Sequence, residues 1–142
     1  MKKLLILMAL TLSMGNLVLA GTPFADHGNQ TVTDLSTGLM WDQRETTTMT
    51  WTAALSYCEN LSLAGQTDWR LPNRNELESL VDDTKTSAPT INTTYFPSAV
   101  SDYYWSSTTY ALLSTIAWLV NFNLGDVGGN SKVTGRYVRC VR

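Results

Sequence analysis

Side chains able to do covalent chemistry are few in this chain, and their spacing keeps them apart. There is one histidine, His27, and a serine nucleophile needs a base within hydrogen-bond reach. The serine pair Ser106-Ser107 lies far along the chain from His27, which sits in a polar stretch without an obvious orienting partner. Ser106 and Ser107 are therefore expected to be strand residues bonded to neighbouring backbone. Glu76 with Glu78 and Asp82 with Asp83 are the carboxylate pairs that acid–base chemistry could use. Both fall where a solvated helix face and a helix end are expected. Asp126 with Asn121, Asn123 and Asn130 offers hard oxygen donors of the kind calcium takes, yet Gly and Asn gather in turns for backbone reasons alone. The expectation is a chain without catalytic residues, metal ligands or cofactor.

Binding chemistry has better candidates. Lys132, Arg136, Arg139 and Arg142 crowd the last stretch of the chain and could present several cations to sulfate or phosphate groups; ordinary edge-strand charge is the competing role. Tyr95, Tyr103, Tyr104, Trp105 and Tyr110 could form a stacking platform for sugars. The tryptophans at 41, 51, 69, 105 and 118 are expected in the core, because their neighbours are apolar or their spacing fits an inward face. The formal charge is −2, so the total does not recommend nucleic acid as a partner.

The segments that would position these groups begin with Met1-Lys2-Lys3 and an uncharged run from Leu4 to Ala20, ending Val18-Leu19-Ala20. A positive start, an apolar run and small residues before the cut predict a signal peptide over 1–20. Gly21 follows, not Cys, so no lipid anchor is expected there. An exported product, periplasmic or secreted, follows, with residues 21–30 a flexible lead-in and 31–142 one domain. Two cysteines, Cys58 and Cys140, are expected to be bridged in an oxidising compartment. The loop so closed is about eighty residues, for which the chain-entropy model gives at most about 4 to 5 kcal/mol.

Thr31–Asp34 and Leu39–Asp42 read as a hairpin around Leu35-Ser36-Thr37-Gly38. Thr50 can cap a helix whose inward face is Trp51, Ala54, Leu55, Cys58 and Leu61. Trp69-Arg70-Leu71-Pro72 then forms a corner: Pro72 keeps Leu71 out of helix, and Asn73 with Glu76 offers a capping box to a second, short helix. Arg70 is expected to pair with a carboxylate or carbonyls beneath the corner, Glu76 being a candidate. Thr84 to Ser101 is a long connection. Tyr103–Thr109, Ile116–Phe122 and Tyr137–Val141 read as strands, the second with Ile116, Trp118, Val120 and Phe122 on one face, and Asn123–Asn130 reads as a turn before a short strand near Lys132-Val133-Thr134.

Several of these motifs, in order, carry a resemblance: Thr37-Gly38-Leu39-Met40-Trp41, Asp68-Trp69-Arg70-Leu71-Pro72, Glu76-Leu77, Tyr104-Trp105-Ser106-Ser107-Thr108, Ala117-Trp118 and Tyr137-Val138-Arg139-Cys140-Val141-Arg142. Together they resemble the bacterial domain at the C-terminus of the Legionella collagen-like adhesin, over nearly all of Thr31 to Arg142. The resemblance implies a C-type-lectin-like fold in the α+β class, with two helices, small antiparallel sheets and a bridge from the first helix to the last strand, where Cys58 and Cys140 lie. It also implies a binding or adhesion module, for a sulfated or other anionic polysaccharide, and not an enzyme. The alternative is a structural or protein-interaction component of the envelope. The binding surface is expected in Thr84–Tyr104 or along the C-terminal strands.

Overall fold

Two small antiparallel sheets share one terminal strip of chain. The structure, a computed structural model, describes residues 23–142; the expected signal peptide lies outside the described residues. Sheet one is β1 (Phe24–Asp26), β2 (Thr31–Asp34) and β3 (Met40–Asp42), in that spatial order. Sheet two is β4 (Tyr103–Thr109), β5 (Ile116–Asn121) and β6 (Asp126–Ser131), again in order. Helices α1 (Trp51–Glu59) and α2 (Arg74–Glu78) lie between them in sequence. The class is α+β, as expected, and the disulfide Cys58–Cys140 is formed, with its Cα atoms 5.5 Å apart.

Four elements depart from expectation, each for a local reason. Residues 24–26, inside the expected lead-in, are strand β1, because Phe24, Ala25 and Asp26 pair with Asp34, Thr33 and Val32 and Phe24 packs edge-on to Phe96. Thr50 starts α1 without a side-chain cap; the first bond is instead Ala54 N–H to the Thr50 carbonyl. Asp126–Ser131, which Gly128 and Gly129 made look like a turn, is strand β6, paired along its length with β5. The turn occupies 122–125, where Gly125 has φ +79°, and Lys132–Thr134 is itself a turn. Finally, Tyr137–Val141 is not a ladder strand but a strip with isolated bridges. Tyr137 pairs with Tyr104, and Val141 with both Trp41 and Arg70.

The asparagine cap at α2 behaves as its sequence predicts. Asn73 Oδ1 accepts the Glu76 N–H, and the Glu76 carboxylate accepts the Asn73 N–H. Two orphan amides are satisfied by two side chains, which lets a five-residue helix exist at all.

Sheet two is covered on both sides, so β5 is not the one-faced strand its alternation suggests. Ala117 and Leu119 pack with Trp105, Trp69, Ala54 and the disulfide. Val120 and Phe122 pack with Tyr104, Phe96, Ile91 and Leu77 of α2. Each such aromatic or aliphatic side chain, fully buried, contributes about 1.5 to 3 kcal/mol. The cover on the second side is incomplete: α2 reaches as far as Arg74, over Trp118, and beyond it the strand face is open.

Candidate binding site

Where α2 runs out, a groove of about 210 Å³ is lined by Asn73, Arg74, Asn75, Thr108 and Trp118. Thr108 of β4 anchors the helix start by accepting the Arg74 N–H at 3.0 Å. Trp118, half-buried on β5, has the Arg74 guanidinium 5.1 Å from its ring centroid and the Tyr110 ring at 5.0 Å, inclined by 51°. Gly129 is the β6 partner of Trp118. A neighbouring hollow of about 330 Å³, lined by Tyr110, Leu113, Ile116 and Gly129, extends the same strand face. Glycine here leaves the trough without a side chain of its own, and a Cβ at Gly129 would meet Ile116 Cγ2 at 3.0 Å.

The donor pattern of the groove is one-sided. Asn73 spends its oxygen on Glu76 N–H and Asn75 spends its oxygen on Arg74 Nε, so each keeps its amide nitrogen as a donor. Thr108 spends an acceptor on Arg74 N–H and keeps its hydroxyl proton. An aromatic face bordered by donors suits a ring with apolar C–H faces and oxygen at its rim.

Of the cations expected to form a polyanion surface, each has a local partner and one is buried. Arg139 is 1% exposed; it donates to the carbonyls of Asp42 and Arg44 and to Glu45. Arg142 forks onto Asp68 with bonds of 2.7 and 3.1 Å. Lys132 lies 3.8 Å from the Trp51 ring centroid and donates to Thr109, and Arg136 stacks over Tyr103 near Asp102. Arg139 in particular is a structural charge that a surface ligand cannot reach.

The corner residues hold the fold. Trp69, Leu71 and Pro72 are buried, and the Arg70 backbone pairs with Val141. Its side chain lies on the surface, not beneath the corner, forking onto Glu76 at 2.7 and 2.8 Å. That pairing, chiefly the hydrogen bonds from Arg70, holds the Glu76 carboxyl below its usual range against the opposing effect of burial. Of the expected stacking platform, Tyr104 and Trp105 are buried. Burial pushes the Tyr104 phenol far above its ordinary range, although the Arg139 charge pulls the other way.

Ser106 donates its hydroxyl to the Trp118 carbonyl, while His27, on the first sheet's β1–β2 turn, bonds Thr33. The two are not brought together as nucleophile and base. Asn121 accepts the Asn123 N–H and Asn130 the Thr134 hydroxyl, so these oxygens are used internally. Among the described residues no three His, Cys, Asp or Glu side chains cluster.

None of the groove's lining residues was marked by the sequence as a binding candidate, and the groove lies outside Thr84–Tyr104, where a binding surface was expected. Trp118 alternates with Val120 and Phe122 and so reads as core. The available signal was length: the apolar face of β5 is longer than a five-residue helix can cover.

The family model of the Lcl C-terminal domain matches residues 30–142. The chain belongs to the Lcl C-terminal domain family. Within this Lcl C-terminal domain the match takes in both helices, the corner, sheet two and the disulfide, and all of sheet one except β1. No curated protein matches the chain.

Proposed function

We propose that this Lcl C-terminal domain is an exported binding or adhesion module that recognises a glycan at the Trp118 groove and performs no catalysis of its own. The observation that carries the reading is the half-open Trp118 ring, flanked by Tyr110 and Arg74 and rimmed by Asn73, Asn75 and Thr108. Indole and phenol faces stack on the C–H faces of a pyranose, and amide and guanidinium donors bond its oxygens. Membership of a family that includes the adhesin domain described above supports a binding role. Export is supported by the Cys58–Cys140 bond, which persists in oxidising compartments, and no helix among the described residues is long and apolar enough to cross a membrane. The two-helix, two-sheet plan bridged from α1 to the terminal strip supports placing the fold in the C-type-lectin-like superfamily.

The test is a glycan array probed with residues 21–142 and with Trp118→Ala. Saturable binding that Trp118→Ala abolishes, with an unchanged circular dichroism spectrum, is the expected result. Absence of saturable binding to any glycan would sink the proposal.

A second reading, contact with another envelope protein, is favoured by one observation. Leu112 and Leu113 in the β4–β5 turn are 82% and 54% exposed and Val133 in the turn after β6 is 82% exposed; Lys132 N–H to the Thr115 carbonyl brings these turns together. Capture of an envelope protein that Leu112→Ser and Leu113→Ser abolish, without loss of glycan binding, would assign that role to this tip.

A further inference from the structure

We infer that the ligand of the Trp118 groove carries a carboxylate, and that Arg74 is the residue that reads it; the inference rests on the glycan reading above. Eight cationic side chains occur among the described residues, and most are already spent. Arg44, Arg70 and Arg142 each place two hydrogen bonds on one carboxylate, those of Asp42, Glu76 and Asp68. Arg139 is buried on Glu45, Lys85 donates to the Ile91 carbonyl and Lys132 to Thr109. Arg136 stacks on Tyr103 and is 3.8 Å from Asp102.

Arg74 and Arg136 are the two arginines among the described residues that leave both Nη groups without a hydrogen bond, and of the two it is Arg74 that lines the Trp118 groove. Its side-chain hydrogen bond is made through Nε, to Asn75 Oδ1 at 3.3 Å, and its approach to Glu78, at 3.7 Å, is also through Nε. Both Nη groups are left without a hydrogen-bond partner among the described residues, while stacking on Trp118 holds the guanidinium in place. A guanidinium tethered at Nε and supported on its face presents a parallel pair of N–H donors, the geometry that matches the two oxygens of a carboxylate.

The groove's other polar lining residues add donors, the amide nitrogens of Asn73 and Asn75 and the Thr108 hydroxyl proton, while the Glu78 carboxylate lies on the Nε side of Arg74. Such a rim favours an oxygen-rich anion over a neutral sugar that must also donate.

The charge balance limits how much anion is tolerated. The described residues carry eight cations and twelve acidic side chains, and Glu78 beside Arg74 is 44% exposed in its side chain. A densely sulfated chain would meet a net negative surface on which Arg74 and Arg136 are the only cations with both Nη groups unbonded among the described residues. A pyranose with one carboxylate per ring, set beside Trp118 and forked by Arg74, needs only one cation and brings the least negative charge. The ligand class is therefore a carboxylated sugar, of the uronic-acid or sialic-acid kind, in a larger glycan.

Isothermal titration of residues 21–142 tests this against glucuronate-, galacturonate- and sialate-containing oligosaccharides, their methyl esters, their neutral counterparts and dextran sulfate. The expected result is binding to at least one carboxylated oligosaccharide, lost on esterification and weakened at least about tenfold by both Arg74→Gln and Arg74→Lys, since lysine keeps the charge but loses the fork. Arg136→Gln, away from the groove, should leave binding unchanged. Equal binding of ester and acid overturns the carboxylate inference and leaves the glycan reading intact, as does unchanged affinity in both folded Arg74 variants. Tighter binding of dextran sulfate than of any carboxylate also overturns it. If no oligosaccharide binds, both the inference and the glycan reading fall. The ester comparison needs only the wild-type chain, so the test survives a variant that does not fold.

Discussion

At Arg139 a full positive charge is 1% exposed, which costs several kcal/mol of desolvation unless the charge is paired and its donors are used. Both conditions are largely met. Nη1 donates to two carbonyls and Nη2 to Glu45, and the guanidinium lies 4.8 Å from the Phe96 and 5.6 Å from the Tyr104 ring centroids. Nε alone has no partner. Tyr104 closes the network by donating to Glu45 and accepting the Val100 N–H. Arg139→Ala leaves the Glu45 carboxylate, 15% exposed in its side chain, without its cation. The expected loss is about 3 to 5 kcal/mol, read from the midpoint of urea unfolding. A change within error of zero would mean that Arg139 sits in solvent after all.

At the scale of elements, the corner and α2 act as one unit, because Glu76 serves the capping box and the Arg70 fork together. The pair is part-exposed, so its charge contributes no more than about 1 kcal/mol. Its pH dependence has a definite sign. The folded Glu76 carboxyl is held below its ordinary 4.5, so its stabilisation is present above that pH and is lost as pH falls through the folded value. Glu76→Gln, which can still accept the Asn73 N–H, should lower the thermal midpoint at neutral pH and converge with wild type in acid. A constant difference at every pH would exclude the ion pair as the cause.

The capping box was legible in sequence because Asn73 and Glu76 act locally, three residues apart. So were the β2–β3 hairpin and the strand character of β4 and β5, the first from its run of β-prone residues and the second from its alternation. β1 and β6 were not. β1 is only three residues long and β6 is mostly polar residues and glycine, and what makes them strands is the partner they meet, β2 in one case and β5 in the other. The groove was hidden for the same reason: Trp118 looks like core until the length of α2 is known. Arg139 shows the limit most plainly, since an arginine near the end of a chain gives no local sign that Asp42, Glu45, Phe96 and Tyr104 will surround it.

Over the whole molecule, the disulfide and the terminal strip act together. Cys58 and Cys140 are 82 positions apart, and bridging them removes much of the freedom of the unfolded chain. The double substitution Cys58→Ser with Cys140→Ser is expected to cost about 2 to 5 kcal/mol, measured by thermal unfolding. Dithiothreitol should lower the wild-type midpoint towards that of the variant and leave the variant's own midpoint unmoved; a midpoint shared by variant and oxidised wild type would remove the bond from the list of stabilising features.

Residues 137–142 exchange backbone hydrogen bonds with β4 at Tyr103 and Trp105, with β3 at Met40 and Asp42, and with the corner at Arg70. They are also the last of these residues to be made. Synthesis runs from the N-terminus, so each sheet can pair within itself before this strip is made, but the two are not yet joined through it. Contacts of such long range form late, and without them the two sheets lack their shared strip. That delay makes arrival of the strip, and not the pairing of either sheet, the event on which closure of the domain waits.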